Sequence, residues 1–271
     1  MRVLNIAHRG ARSLAPENTL PAARKGWQFG ADCWELDTCL TRDGKLILLH
    51  DDTLKRTTNV SQMFPGCKNS RPCEFTLDEI RLLDAGSWFN EEDPFGQIAA
   101  GQVNQADQAR FIGLAVPTLE EALRLTRAFN WRVNIEIKDH YGLPGDEDVA
   151  EKVAALVQSL GMVKSVFVSS FNHEYLARIK KALPELSTAA LVEEPHPDPV
   201  GLLEGLGAAA YNPPLESLTQ AAVKEVRSAG YGVNVWTVNL EADMRRLIAW
   251  NVSGIFTDFP QRLRAVLAEM E

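Results

Sequence analysis

The chain has 271 residues, 45% of them hydrophobic and 24% charged, a balance expected of a globular protein with a sizeable core. A net charge of −8 excludes an extended nucleic-acid surface, which needs lysine and arginine to displace counterions, but allows a small anion held by one or two local cations. No apolar run reaches the length of an integral membrane segment, and no export segment precedes the first apolar run, so the expected location is the cytoplasm.

Taken in chain order, short aliphatic runs alternate with helical patterns. Strands are expected over Val3–Ala7, Cys33–Asp37, Leu46–Leu49, Arg132–Ile137, Ser165–Ser169, Thr188–Val192, Ala208–Tyr211, Val233–Val238 and Gly254–Thr257. The intervening helices include Pro117–Phe129, where Thr118 and Glu121 have capping-box spacing, and His173–Leu183, apolar at 176, 179 and 183. Such alternation predicts an α/β protein of the (β/α)8 TIM-barrel class, with residues 1–271 as one domain.

Nine runs for eight barrel places leave one outside. The Asp43-Gly44 pair between the second and third runs is a hairpin signal, and no helix fits between them. A hairpin there would set Asp37 opposite His50. After the third strand, residues 60–116 are too long for a connecting loop and are expected to form a small inserted cap subdomain, with Ala99 to Arg110 as its mobile part and Trp88, Phe89, Phe95 and Phe111 filling its own core in preference to shaping an apolar mouth. Cys33, Cys39, Cys67 and Cys73 are too scattered for a disulfide framework and are expected to be free thiols.

Polar residues recur where these strands end: His8-Arg9, Glu35 and Asp37, His50-Asp51, Glu136 and Lys138, and Thr257-Asp258. In a barrel, the C-terminal ends of the strands build one site. Singly, each has a plain structural explanation: a strand-end histidine bonded at the rim, Glu35 and Asp37 paired with Arg42 or Lys45, Lys138 in a surface pair, Trp236 in the core. Together they describe a pocket. Glu35, Asp37 and Glu136 offer hard oxygen ligands suited to Mg²⁺ or Ca²⁺. His8 and His50 titrate near neutrality and suit general acid–base work, while Arg9 and Lys138 suit phosphate oxygens. Those parts can break a phosphate diester. His140, His173 and His196 receive no role.

The segments HRGARSLAPENT (His8–Thr19), ELD (Glu35–Asp37), DGKLILLHD (Asp43–Asp51), NIEIK (Asn134–Lys138), SSF (Ser169–Phe171), VWTVN (Val235–Asn239) and GIFTDFP (Gly254–Pro260) resemble, in order, those of the glycerophosphodiester phosphodiesterase family. The resemblance implies a (β/α)8 barrel that uses a divalent metal to cleave glycerophosphodiesters to glycerol 3-phosphate and an alcohol. It implies His8 and His50 as the catalytic pair, Glu35, Asp37 and Glu136 as metal ligands, and Arg9 and Lys138 at the phosphate. Glu17 would support the site from behind, and Trp236 would lie near the substrate. The usual mechanism of the family has the glycerol 2-hydroxyl attack phosphorus, giving a cyclic phosphate that water opens. Two other activities fit the same sequence: a phospholipase D-type reaction on lysophospholipids, and a barrel that binds phosphate ligands without catalysis. Oligomeric state has no signal in the sequence.

Overall fold

The computed structural model describes residues 2–270. All nine expected strands are present, differing only at their ends: β1 Leu4–Ala7, β2 Cys33–Leu40, β3 Leu46–Leu48, β4 Val133–Ile137, β5 Val166–Ser170, β6 Ser187–Leu191, β7 Ala210–Asn212, β8 Gly232–Val235 and β9 Gly254–Thr257. The sheet runs β1-β9-β8-β7-β6-β5-β4-β2-β3, and a further β1–β2 pairing closes it. Eight parallel strands thus form the barrel, as the alternation predicted.

The strand outside it is β3, antiparallel to β2 across the Asp43-Gly44 turn. Its register corrects one expectation. Thr38 faces Leu48, and the Leu49 N–H donates to the Asp37 carbonyl at 3.2 Å, so Asp37 opposes Leu49 and His50 lies one residue further on. The side chain of Thr41 sets this offset. Its hydroxyl accepts from the Lys45 N–H at 2.9 Å while donating to Asp43 Oδ1 at 2.7 Å, which widens the turn.

The period of two divides each barrel strand into an inner and an outer row. Outward, Trp34, Leu36, Val133, Ile135, Val168, Val233 and Ile255 pack against helices in one continuous core, joined by Leu119, Leu123, Val153, Leu176, Val226, Leu247 and Leu263. The expected cap forms at the helix Leu119–Ala128, where Thr118 and Glu121 exchange hydrogen bonds. Inward, Ile6, Cys33 and Phe256 close the barrel floor with Phe167 and Trp236 beside them. Residues that continue this inner row toward the C-terminal ends of the strands face the site.

Between β3 and the helix Leu119–Ala128 lie helices Val60–Met63, Leu77–Ile80, Ser87–Glu92 and Gln105–Phe111 and one 3-10 turn, Pro72–Glu74. Their apolar residues do not form a separate core. Val60, Phe75 and Ile80 pack with Ile47 and Leu49 of the hairpin, and Phe89 and Phe111 pack with Leu14, Ala15 and Ala22. Phe95 instead reaches Phe259 at 5.6 Å between ring centres. The stretch expected to be mobile is helical from Gln105, because Asn104 caps it and Lys25 bonds Asp107 at 2.7 Å. Its polarity serves a cap and an ion pair.

After β1 the chain turns at Arg9 and Gly10, with φ of +52° and +81°. A Cβ on Gly10 would lie 2.6 Å from the Ala22 carbonyl carbon, a backbone atom that cannot yield. Gly10→Ala should therefore cost about 2 kcal/mol or more in urea denaturation, combining left-handed strain with overlap, and should lower activity by displacing His8 and Arg9.

Candidate active site

Each expected site residue sits at the C-terminal end of the barrel. His8 follows β1, Glu35 and Asp37 lie on the inner row of β2, and His50 follows β3. Glu136 is on β4 with Lys138 just after it, and Trp236 follows β8. One cavity of about 100 Å³ is lined by His8, Arg9, Glu35, His50, Glu136 and Trp236, with Asn134, Ser169 and Phe171 among its other walls. Asp37 and Lys138 stand directly behind, bonded into the same group.

The parallel register sets Asp37 beside Glu136 on adjacent strands, and Glu35 lies two residues earlier on β2. Glu35, Asp37 and Glu136 each offer a carboxylate oxygen, all within 4.8 Å of one another. Asp37 and Glu35 are almost fully buried. Burial and the neighbouring charges of Asp37 and Glu136 drive the Glu35 carboxyl well above the ordinary range, and burial with Asp37 raises Glu136 as well. Asp37 goes the other way: burial opposes its charge, but Arg9, Lys138 and His50 hold it low. Glu35 Oε1 and Asp37 Oδ1 are buried without a hydrogen-bond partner. Buried anionic oxygens that converge and lack donors fit a hard divalent cation.

The two cations flank this cluster. Arg9 gives its backbone N–H to Glu35 Oε2 at 2.7 Å, and its guanidinium lies 3.3 Å from Asp37 Oδ2 and 2.8 Å from Glu17 Oε1. Lys138 Nζ is 2.7 Å from Glu136 Oε1 and 3.8 Å from Asp37 Oδ1. Arg42 pairs with Glu79 instead, so the surface-pair reading of Glu35 and Asp37 falls away.

Both histidines are anchored through Nδ1. His8 Nδ1 is 2.7 Å from Asp258 Oδ1, and His50 Nδ1 is 2.8 Å from Asp51 Oδ1. Burial, then Arg9, lowers the pKa of His8 against the pull of Asp258. Asp258 itself is held at about 2: burial would raise it, but His8, Arg12 and Asn239 outweigh that. Asn239 Nδ2 donates to Asp258 Oδ2 at 2.7 Å. Glu17 is likewise held at about 2, with Arg9, Arg56 and Arg12 prevailing over burial. Trp236 donates its indole N–H to the Asn212 carbonyl at 2.9 Å and meets Phe171 edge-on at 5.6 Å.

Several side chains of the site have no signal in the sequence. Asn18 donates to Asp37 Oδ2 at 2.8 Å, Arg12 and Arg56 pair with Glu17, and Asn134 lines the cavity with an unpartnered buried Oδ1. Asp258 stood among the strand-end residues, but its partner is 250 positions away and nothing local points to it.

The sequence pattern of the glycerophosphoryl diester phosphodiesterase family matches residues 8–262. The chain belongs to that family. A glycerophosphodiester phosphodiesterase of Bacillus subtilis is 35% identical over 98% of this chain and 86% of its own length. A phosphodiesterase of Oleispira antarctica, solved in complex with the product sn-glycerol-3-phosphate, is 27% identical with a TM-score of 0.78, covering 97% of this chain and 96% of that one. A glycerophosphodiester phosphodiesterase of Agrobacterium tumefaciens is 29% identical with a TM-score of 0.74, covering 98% of this chain and 100% of that one. As a member of the family, the chain is an enzyme of the phosphoric diester hydrolase class. No helix among the described residues is long and apolar enough to cross a membrane.

A testable consequence follows from the crowded carboxylates. Because the folded pKa of Glu35 exceeds its unfolded value, the metal-free protein loses stability as pH rises above the ordinary carboxylate range. Glu35→Gln should raise the melting temperature of the EDTA-treated protein at pH 7.5 by about 2 °C or more. It should also remove most of the further rise that Mg²⁺ or Ca²⁺ gives the parent protein, both read by differential scanning fluorimetry.

Proposed function

We propose that the protein hydrolyses glycerophosphodiesters, such as glycerophosphocholine or glycerophosphoethanolamine, to glycerol 3-phosphate and an alcohol. One observation carries this reading: two histidines, each bonded to a carboxylate through Nδ1, share a single cavity with Glu35, Glu136 and a phosphate-binding type of arginine, and Asp37 completes the carboxylate trio from behind. A site that only bound phosphate would have no use for two histidines held this way.

Glu35, Asp37 and Glu136 would hold Mg²⁺ or Ca²⁺. When bound, such an ion neutralises charge on the phosphoryl oxygens and lowers the pKa of an oxygen nucleophile. Arg9 and Lys138 lean on these carboxylates and present their remaining N–H groups to the phosphate. Asn134, whose Nδ2 is occupied by Ser169 Oγ at 2.9 Å, offers its buried carbonyl oxygen to a hydroxyl of the glycerol. Trp236 and Phe171 form an apolar wall for its carbon face.

In the first step, Nε2 of one histidine removes the proton of the glycerol 2-hydroxyl as its oxygen attacks phosphorus, and Nε2 of the other gives a proton to the departing alcohol. In the second, the roles reverse: water loses a proton as it attacks the cyclic phosphate, and the glycerol oxygen regains one. Residues 60–116 would act as a cap, since Phe95 and Trp88 lie over Arg12 and Arg56 at the rim. Four free cysteines fit the reducing cytoplasm.

His8→Ala and His50→Ala should each lower turnover of glycerophosphocholine at least about 10²-fold, with circular dichroism and melting temperature near normal. Removing metal with EDTA should stop release of glycerol 3-phosphate, and Mg²⁺ or Ca²⁺ should restore it. A substrate lacking the 2-hydroxyl should bind and resist cleavage; normal cleavage of it would exclude the cyclic route.

A further inference from the structure

The hydrolysis reading uses Nε2 of both histidines but leaves unexplained why a buried anion, Glu17, sits beside a phosphate pocket that its charge would disfavour. Its contacts supply a reason. Glu17 Oε1 accepts from Arg9 at 2.8 Å and Arg56 at 2.7 Å, and Oε2 accepts from Arg56 at 3.1 Å and lies 3.2 Å from Arg12. Two of these three arginines continue to the carboxylates behind the histidines. Arg56 grips Asp51 through two bonds, Nε to Oδ2 at 2.7 Å and a terminal nitrogen to Oδ1 at 2.8 Å. Arg12 Nε stands 3.6 Å from Asp258 Oδ1. Asp51 and Asp258 then meet His50 and His8 at 2.8 and 2.7 Å.

The result is a continuous chain of charges: His8, Asp258, Arg12, Glu17, Arg56, Asp51, His50. A carboxylate at Nδ1 selects the tautomer with hydrogen there, so the proton exchanged with substrate must travel on Nε2. Without Glu17, Arg12 and Arg56 would sit as like charges with nothing between them, free to leave their aspartates.

We propose that Asp258 and Asp51 are positioning residues that fix the Nδ1–H tautomers of His8 and His50, and that Glu17 joins the two histidines into one unit through Arg12 and Arg56. This rests on the acid–base roles of the histidines given above. It goes further in predicting that disturbing one histidine's support is felt at the other, although the two histidines belong to loops after different strands.

Three measurements test it. Asp258→Asn keeps the shape but can donate to Nδ1 and so select the opposite tautomer. It should lower kcat by about 10²- to 10⁴-fold while KM stays within about threefold and the protein stays folded. Long-range ¹⁵N–¹H NMR of the parent protein should find the neutral His8 ring protonated at Nδ1, a reading that needs no variant. Finally, Arg12→Gln and Arg56→Gln should be non-additive in kcat/KM, and the non-additivity should vanish in a Glu17→Gln background. A hydrogen on Nε2 of neutral His8, kcat of Asp258→Asn within about threefold of the parent, or additive arginine variants would overturn the proposal. Those results differ from an active His8→Ala enzyme, which would instead overturn the acid–base reading beneath it.

Discussion

Three carboxylates forced together inside a barrel are the constraint around which the rest of this protein is arranged. The register that sets Asp37 beside Glu136 on neighbouring parallel strands places like charges side by side, which a sheet ordinarily avoids. Glu35, two residues earlier on the same inner row, completes the crowd. Folding must overcome their repulsion, and the surrounding cations and donors answer it: the Arg9 N–H to Glu35, Asn18 to Asp37, Lys138 to Glu136. What these contacts leave, two buried oxygens without a hydrogen bond, suits a divalent ion. The crowding that raises the energy of this cluster is the same arrangement that suits it to an ion.

The same economy of charge extends outward. Arg9 serves Glu35, Asp37 and Glu17 at once, so its guanidinium is held in one orientation. Preorganised donors of this kind stabilise developing charge with little reorganisation. The aromatic residues of the inserted segment stand over the arginines behind the histidines, so the least regular part of the chain touches the support of the most constrained part.

Much of this was legible in the sequence because it follows from period and position. The twofold alternation of ELD and EIK, with polar residues at strand ends, was enough to gather Glu35, Asp37, Glu136, His8 and His50. Residues whose partners come from elsewhere were not legible. The hairpin was, but its register was displaced by one, because a Thr41 side chain and not the Asp43-Gly44 pair alone sets the turn. Arg12 and Arg56 look like ordinary loop cations until the fold brings both to Glu17. The aromatics of residues 60–116 were read as an independent core, whereas the hairpin and the first loop complete it. Apolarity shows that a residue will be buried but does not show against what.

The His8–Asp258 contact joins residues 250 positions apart, across the β1–β9 pairing of the barrel's first and last strands. On a ribosome, that separation is also an interval of time. At about 5–20 residues per second, His8 is made many seconds before the carboxylate that orients it. A nascent chain can already contain both histidines and all three acidic residues, yet its first histidine lacks its carboxylate partner until the last strand docks. The pairing of His8 with Asp258 is thus tied to completion of the barrel, because its second member follows the last strand to be made.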